Sequence, residues 1–360
     1  LSIARNVAEG SGLWISADEL PLGVPLNLVR DVMSLYDRAW PTGLPEVADG
    51  QVSELDLVLN EDWSMQLVRG RISNASVSDW RDMPGVTGLD GEIRLDEGEG
   101  QLRLSGDAIR VDWPRMFAQT LEFDLAQCPL EIRWGENWSA GVQGCALSNP
   151  DLAVEGDLFL FGGDGKPSLD ANFAITRLAL DRLDPYWPLA IMPENVLGWL
   201  QRGIVDGDLE LGRFQIHGDM DDWPFRNSEG RFEAVALLRE PVIDYLDGWP
   251  LVTGDEIVAR FVGASMDIAG SVKETAGVPV DEVRARIQDM KAPRLELTYN
   301  SASDLPGLLG FFQASPLDEQ VNVDLSQFDL AGPADISGRI TVPLGKAEGE
   351  LEIDGAVLVK

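Results

Sequence analysis

At 360 residues the chain exceeds the ~250–300 residues that one hydrophobic core usually serves, so two domains or an extended repeating architecture is expected. Its 61 Asp and Glu against 28 Lys and Arg give a net charge of −33, which disfavours nucleic-acid backbones and anionic headgroup surfaces as partners held by charge. The 44% of hydrophobic residues separates this acidity from that of a disordered chain. Only five of the cations are Lys; a salt-rich surrounding and unselected acidic drift account for that equally well. The chain starts at Leu1 rather than Met and ends at Lys360 in strand-like sequence, so a fragment of a longer protein is expected. No signal peptide or membrane span is visible in it.

In chain order, Leu26 to Trp40 carries Leu28, Val32, Leu35 and Tyr36 at helical spacing after Pro25. Alternation of period two then dominates: Ile93/Leu95, Leu102/Leu104, Ile109/Val111, Leu121/Phe123/Leu125, Leu158/Leu160, Leu169/Ala171/Phe173/Ile175, Leu209/Leu211, Phe214/Ile216, Phe232/Ala234/Ala236/Leu238, Val283/Ala285/Ile287, Leu295/Leu297/Tyr299 and Leu351/Ile353. Polar residues fill the alternate positions, so each strand has one apolar and one polar face. Asp90-Gly91, Asn149-Pro150, Asp206-Gly207 and Asp354-Gly355 punctuate the runs, and the pattern is an antiparallel meander.

Cys128 and Cys145 flank a hairpin in which matched apolar faces pair Trp134 with Trp138, Ile132 with Ala140 and Leu130 with Val142. That register leaves Cys128 opposite Gly144, one residue short of Cys145, and a bulge at Gly144 would bring the sulfurs together. A disulfide in an oxidising compartment and two free buried thiols are both open, and the free thiols are the expectation. Pro193 to Arg202, with Val196, Leu197 and Leu200 on one side and Gly203 at its end, reads as a short helix. Asp304 to Phe312 is another, bent at Pro306-Gly307 and stopped before Pro316.

Two segments repeat a hairpin pattern, Gly91–Gly106 and Gly338–Gly355. Trp40, Trp113, Trp187, Trp223 and Trp249 each precede Pro, which holds them extended at strand termini, as corner packing or as an aromatic rim. Many strands with one apolar face must bury that face, and three short helices cannot cover it. The sheet must close as a sandwich or barrel, or curl into a trough with the apolar face inward. A trough leaves an apolar strip exposed, which suits acyl chains. Burying a methylene is worth ~0.8 kcal/mol, so a sixteen-carbon tail gains roughly 10 kcal/mol before ordering costs. Candidate lining residues are Leu158, Leu160, Phe173, Ile175, Leu209, Leu211, Phe232, Leu295 and Leu297.

The ordered series Asp184-Pro-Tyr-Trp-Pro188, Pro193-Glu-Asn-Val-Leu-Gly-Trp-Leu200, Gly203–Gly212, Gly218-Asp-Met-Asp-Asp-Trp-Pro-Phe225, Glu229–Ala234, Asp244–Pro250 and Phe311–Leu317 resembles the YhdP-like branch of the AsmA-related envelope proteins. Val111–Phe117 and Leu130–Trp134 fit the same pattern. The resemblance covers most of residues 1–360, read as one continuous segment, and is strongest over 184–317. It implies a mainly β fold: a long twisted antiparallel sheet curled into an apolar, repeating β-groove, with a few short helices. It also implies a periplasmic location in a Gram-negative bacterium, anchored in the inner membrane through a segment outside this sequence. The implied role is phospholipid transport towards the outer membrane, supporting its permeability barrier. Phospholipids and the two membranes are the implied partners, with no cofactor, metal or catalytic residue.

The residues themselves offer little chemistry. The lone His217 lies on the polar face of its strand, and no Gly-x-Ser-x-Gly elbow or phosphate-binding Gly loop is present. Asp219/Asp221/Asp222 and Asp206/Asp208 lack the spacing of a calcium loop. A lipid conduit is therefore the first reading and a closed, non-catalytic envelope scaffold the second. A polysaccharide hydrolase with two close carboxylates comes third.

Overall fold

A computed structural model describes residues 2–5, 12–25, 27, 48–61, 64–79, 84–162, 166–190, 192, 194–227, 229–316, 331–344, 350 and 352–360. The helix expected over Leu26–Trp40, and Trp40 with it, lies outside the described residues. The protein is mainly β, and the chain divides into two compact units, Leu1–Ala171 with Pro185–Ile191, and Asn172–Asp184 with Met192–Lys360.

The first unit contains β1 (Ser2–Arg5), β2 (Leu13–Pro21), β3 (Ala48–Leu59), β4 (Met65–Val77), β5 (Gly85–Asp96), β6 (Glu99–Asp112), β7 (Leu121–Arg133), β8 (Ser139–Ser148) and β9 (Leu152–Phe161). Each pairs antiparallel with the next. The register carries apolar residues from strand to strand on one face. Leu57 faces Val68, Val68 faces Leu95, Leu95 faces Gly100, Gly100 faces Ile132, Ile132 faces Ala140 and Ala140 faces Leu160. The other face is ionic, with Arg69 on Asp56, Arg71 on Glu54 and Glu92, and Arg103 on Glu92. The segment 185–191 returns to this unit: Leu189 N–H donates to Met116 O at 2.7 Å and Tyr186 Oη bonds Asn149 Nδ2 at 2.9 Å.

Three bulges in this unit share one construction. Asn74 in β4, Ala108 in β6 and Gly144 in β8 have φ of 47°, 54° and 62°, each beside a register shift. The N–H that the bulge removes from the ladder is taken by an Asp of the following strand: Asp90 at 2.8 Å, Asp124 at 2.9 Å and Asp157 at 2.7 Å. A backbone donor displaced from the ladder still needs an acceptor, and at these exposed positions the aspartates supply it in place of water. Part of the chain's acidity is thus structural. Asp124→Ala is expected to cost about 1–2 kcal/mol, the worth of a charge-assisted hydrogen bond at a partly wet site. Thermal unfolding should show a midpoint lower by roughly 2–8 °C, and an unchanged midpoint would remove Asp124 from this role.

β10 (Ser168–Ala179) contributes residues to both units. The second unit continues with a helix over Glu194–Gly203, then β11 (Ile204–Asp219), β12 (Arg231–Ile243), β13 (Val252–Val262), β14 (Ser265–Thr275), β15 (Val278–Ile287), β16 (Arg294–Asp304), a helix over Leu305–Gln313, β17 (Pro333–Pro343) and β18 (Glu352–Val359). From β11 onward, each strand again pairs antiparallel with the next. The repeated segments Gly91–Gly106 and Gly338–Gly355 are both hairpins, β5–β6 and β17–β18. The helix expected over Asp304–Phe312 begins one residue later. Asp304 caps it by accepting from Gly307 N–H at 2.7 Å, so Pro306 sits in the first turn, where its missing donor costs nothing, and starts the helix rather than bending it.

Candidate functional site: the apolar sheet faces

In the second unit three neighbouring rows cross the strands on one face. One runs Phe214, Ala234, Phe261, Met266, Ile287, Leu295, Val342; the next Gly212, Ala236, Ala259, Ile268, Ala285, Leu297, Ile340, Ile353; the third Leu209, Leu238, Ile257, Gly270, Val283, Tyr299, Gly338. No charged residue interrupts them. Phe173 and Ile175 of β10 join the same face: the Phe173 ring lies 6.3 Å from Phe214, and Ile175 packs where a Cβ on Gly212 would stand. Phe214 in turn lies 5.6 Å from Phe232. Gly338 serves the same close approach, since the hydroxyl end of the Tyr299 ring occupies the place where its Cβ would stand.

Most of these residues are half-buried, including Phe173, Ile175, Phe214, Phe232, Leu295 and Leu297, while Leu209, Ile257 and Ile287 are buried. Leu158 and Leu160 hold the corresponding place in the first unit, facing Val142 and Ala140, and are also half-buried. Phe173, Ile175, Leu209, Phe232, Leu295 and Leu297 thus stand on this face of the second unit, and Leu158 and Leu160 on the apolar face of the first.

Leu211 does not, and its assignment is corrected. Leu209 faces Leu238 but Leu211 faces Leu237, because a register shift falls between them. Two β11 residues then oppose one of β12, and Leu211 is carried to the side of Arg213, Leu237 and Val258. Plain alternation has no signal for such a shift, since one extra residue reverses every side chain beyond it.

The opposite face is a charge lattice. Arg231 and Arg260 both donate to Glu233, whose side chain is 15% exposed, at 2.5 and 2.6 Å. Arg284 and Arg286 converge on Asp267 at 2.6 and 3.0 Å. Arg239 joins Glu210 to Glu256. The Arg231 hydrogen bond, with that of Arg260, holds the Glu233 carboxyl below the usual carboxylate range, and Arg284 with Arg286 does the same for Asp267. A lowered folded value means stability that is present above the unfolded value and lost as pH falls through the folded one. Thermal midpoints should hold from neutral pH down to the ordinary carboxylate range and fall below it. The double variant Glu233→Gln/Asp267→Asn should be less stable at neutral pH and flatter on the acid side. An acid limb as steep as in the unsubstituted chain would place the sensitivity elsewhere.

The two cysteines are joined, Cys128 to Cys145, with Cα atoms 4.5 Å apart, which overturns the expectation of free thiols. The register places Leu130 opposite Val142 and Ile132 opposite Ala140. Gly144, whose positive φ suits glycine, lies beside Cys145 at a register shift between β8 and β9. Asp206 and Asp219 spend carboxylate oxygens on the N–H groups of Gly207 and Asp221 at 2.8 and 2.9 Å, as turn residues do. Asp18, Glu54 and Asp56 share a shallow concavity, but Glu54 is paired with Arg71, and Asp56 with Arg69 and the Trp14 indole N–H. Those acids belong to the ionic face rather than to a poised acid–base pair.

Sequence reasoning missed two features of the site. One is the set of Asp-capped bulges, which left as signal only an Asp thirteen or sixteen residues after the bulged position. The other is an aromatic cluster at one end of the second unit, where Trp249 lies 6.0 Å from Tyr245 and 6.1 Å from Phe311. The Trp199 indole N–H donates to Tyr245 O at 3.1 Å. Burial pushes the Tyr245 phenol up to about 12.

Among the described residues no helix is long and apolar enough to cross a membrane. Compared with known protein families, residues 11–360 match the family described as YhdP protein. A curated relative, the intermembrane phospholipid transporter YhdP of Escherichia coli (strain K12), is 20% identical over 296 residues, which is 78% of this chain and 23% of that protein. The chain thus spans about a quarter of the relative's length. No solved structure matches.

Proposed function

The chain belongs to the YhdP family, and on that premise we propose that it is a segment of a phospholipid transporter of the Gram-negative envelope. Acyl chains lie along the apolar faces, and headgroups stay in water. The observation that carries this reading is the half-exposure of uncharged rows that cross strand after strand. A closed sandwich would bury those side chains against a second layer. A face that is apolar and still accessible favours a ligand that is itself apolar and long. Contact of this kind is non-directional, so a chain sliding from row to row meets a nearly constant energy. The two units each offer such a face. The lining is Leu158, Leu160, Phe173, Ile175, Leu209, Phe232, Leu295 and Leu297.

In this reading the segment works in the periplasm, and the inner and outer membranes are reached through other parts of the longer protein. The Cys128–Cys145 disulfide suits that oxidising compartment. The role is carriage rather than catalysis. The test is extraction of the purified chain with organic solvent and mass spectrometry against a mock purification. Copurifying phospholipid is expected; a monodisperse, lipid-free protein would overturn the reading and leave a scaffold.

A further inference from the structure

The two strand ends of the second unit both carry aromatic clusters and differ in charge. At the end where β11, β13 and β15 begin stand Asp206, Asp244, Asp247, Asp255 and Glu274, against Arg202 and a Lys273 already held by Glu240 at 2.5 Å. At the other end, where β12, β14 and β16 begin, stand Arg226, Arg231, Lys291 and Arg294 beside Asp219, Asp221, Asp222, Glu229 and Asp289. In a chain with 28 cations to 61 acids, that second end is locally close to balanced.

Three loops meet there. Met290 N–H donates to Ala264 O at 2.8 Å, Gly263 lies against Pro224 O, and Arg226 Nη1 reaches Asp289 Oδ1 at 2.8 Å. Asp289 also accepts from Lys291 N–H at 2.8 Å, so its charge is turned into the loop while the Lys291 side chain is exposed. Trp223 stands over this junction, 41% exposed, with its ring 5.2 Å from Phe232. Phe232, Phe214 and Phe173 thus make an aromatic ladder that climbs from the apolar rows to the strand end and finishes at Trp223. The Trp223 indole N–H makes no hydrogen bond to the described residues. An indole with its ring on an apolar surface and its N–H in water is the arrangement tryptophan adopts at lipid interfaces.

We propose that this strand end is a phosphate berth: the Trp223 Nε1–H, the Lys291 ammonium and the adjacent Arg226 hold the phosphodiester of a phospholipid whose acyl chain runs down the ladder Phe232, Phe214, Phe173. The inference rests on the acyl-binding reading of the same face and adds an orientation to it. The headgroup lies at the β11–β12 turn and never at the acidic strand ends opposite, where phosphate and carboxylates would repel. Charge-assisted donors of this kind recognise phosphate strongly, and an apolar ladder alone cannot tell a phospholipid from an uncharged glyceride.

The experiment compares two probes of equal chain length on the full chain by isothermal titration calorimetry, each below its micellar concentration: 1-lauroyl-lysophosphatidylethanolamine and 1-monolauroylglycerol. Trp223→Phe keeps the ring and removes the donor, and Lys291→Gln removes the charge. Circular dichroism and the thermal midpoint certify the fold of the double variant. Expected is a loss of about tenfold or more for the lysophospholipid, with the glyceride changed by less than about twofold. An unchanged lysophospholipid affinity, or an equal loss for both probes, overturns the berth while the glyceride still reports an apolar site. Binding of neither probe to the unsubstituted chain overturns the acyl-binding reading itself and the berth with it.

Discussion

Phe173→Asp is expected to lower the phospholipid that copurifies with the chain by about tenfold or more, because a carboxylate in an apolar row either repels the acyl chain or draws water into its place. Phe173 is the better of the possible positions because its ring already touches Phe214, which touches Phe232, so the charge sits inside a contiguous aromatic surface. Phe173→Leu keeps an apolar side chain and should keep the lipid. The informative partner is Leu211→Asp. The register shift in β11 sends that side chain to the ionic side, beside Arg213, so lipid should stay within about twofold of the unsubstituted chain and the fold should be less perturbed than by a buried charge. Lipid per mole of protein by mass spectrometry, with circular dichroism as a fold control, measures both. Equal losses from Phe173→Asp and Leu211→Asp would mean that lipid content follows folding rather than the face, and retention in Phe173→Asp would remove that residue from the lining.

Breaking the Cys128–Cys145 bridge should have the largest effect on stability. The cysteines are 17 residues apart, and closing a loop of that size constrains the unfolded chain by about 3 kcal/mol in the chain-entropy description. For a unit of this size that corresponds to a midpoint lower by roughly 6–12 °C. Dithiothreitol and Cys145→Ala should give the same shift, and dithiothreitol should add nothing to the variant. Hydrogen exchange should localise the lost protection to β7 and β8, the strands that the bridge ties. A reduced protein with an unchanged midpoint would mean that the hairpin register alone, Leu130 to Val142 and Ile132 to Ala140, holds those strands.

Much of this was legible because β-strands advertise their faces. Pairing Ile132 with Ala140 and Leu130 with Val142 from apolar matching alone gives the observed register, and the helix read over Pro193–Arg202 is present over Glu194–Gly203. What alternation cannot show is an inserted residue. Such shifts fall between Val142 and Cys145, where β8 meets β9, and between Leu209 and Leu211, where one decides the side of Leu211. Both are events of one residue, invisible to a period-two pattern and decided by where an aspartate or a partner strand satisfies the displaced backbone. Asp90, Asp124 and Asp157 read as surface charge in the sequence and turn out to hold the ladder at its irregular points. Trp223 read as a strand terminus before Pro, but it stands in the turn between β11 and β12, and its stacking on Phe232 needed that geometry.

Among the described residues, strands within each unit pair only with chain neighbours, and this also sets how such a protein can assemble. No strand from β2 to β9, or from β12 to β18, has to wait for a partner that has yet to emerge. Each new hairpin docks on an edge already formed, so the loop-closure penalty is that of a short loop every time. The meander can therefore lengthen by whole hairpins without a new nucleus and without reorganising what came before, as stacked repeats do. Length becomes a variable that evolution can adjust two strands at a time. The matching cost is that each intermediate ends in an unpaired strand edge with an apolar face beside it, a hazard that lasts until the next hairpin arrives.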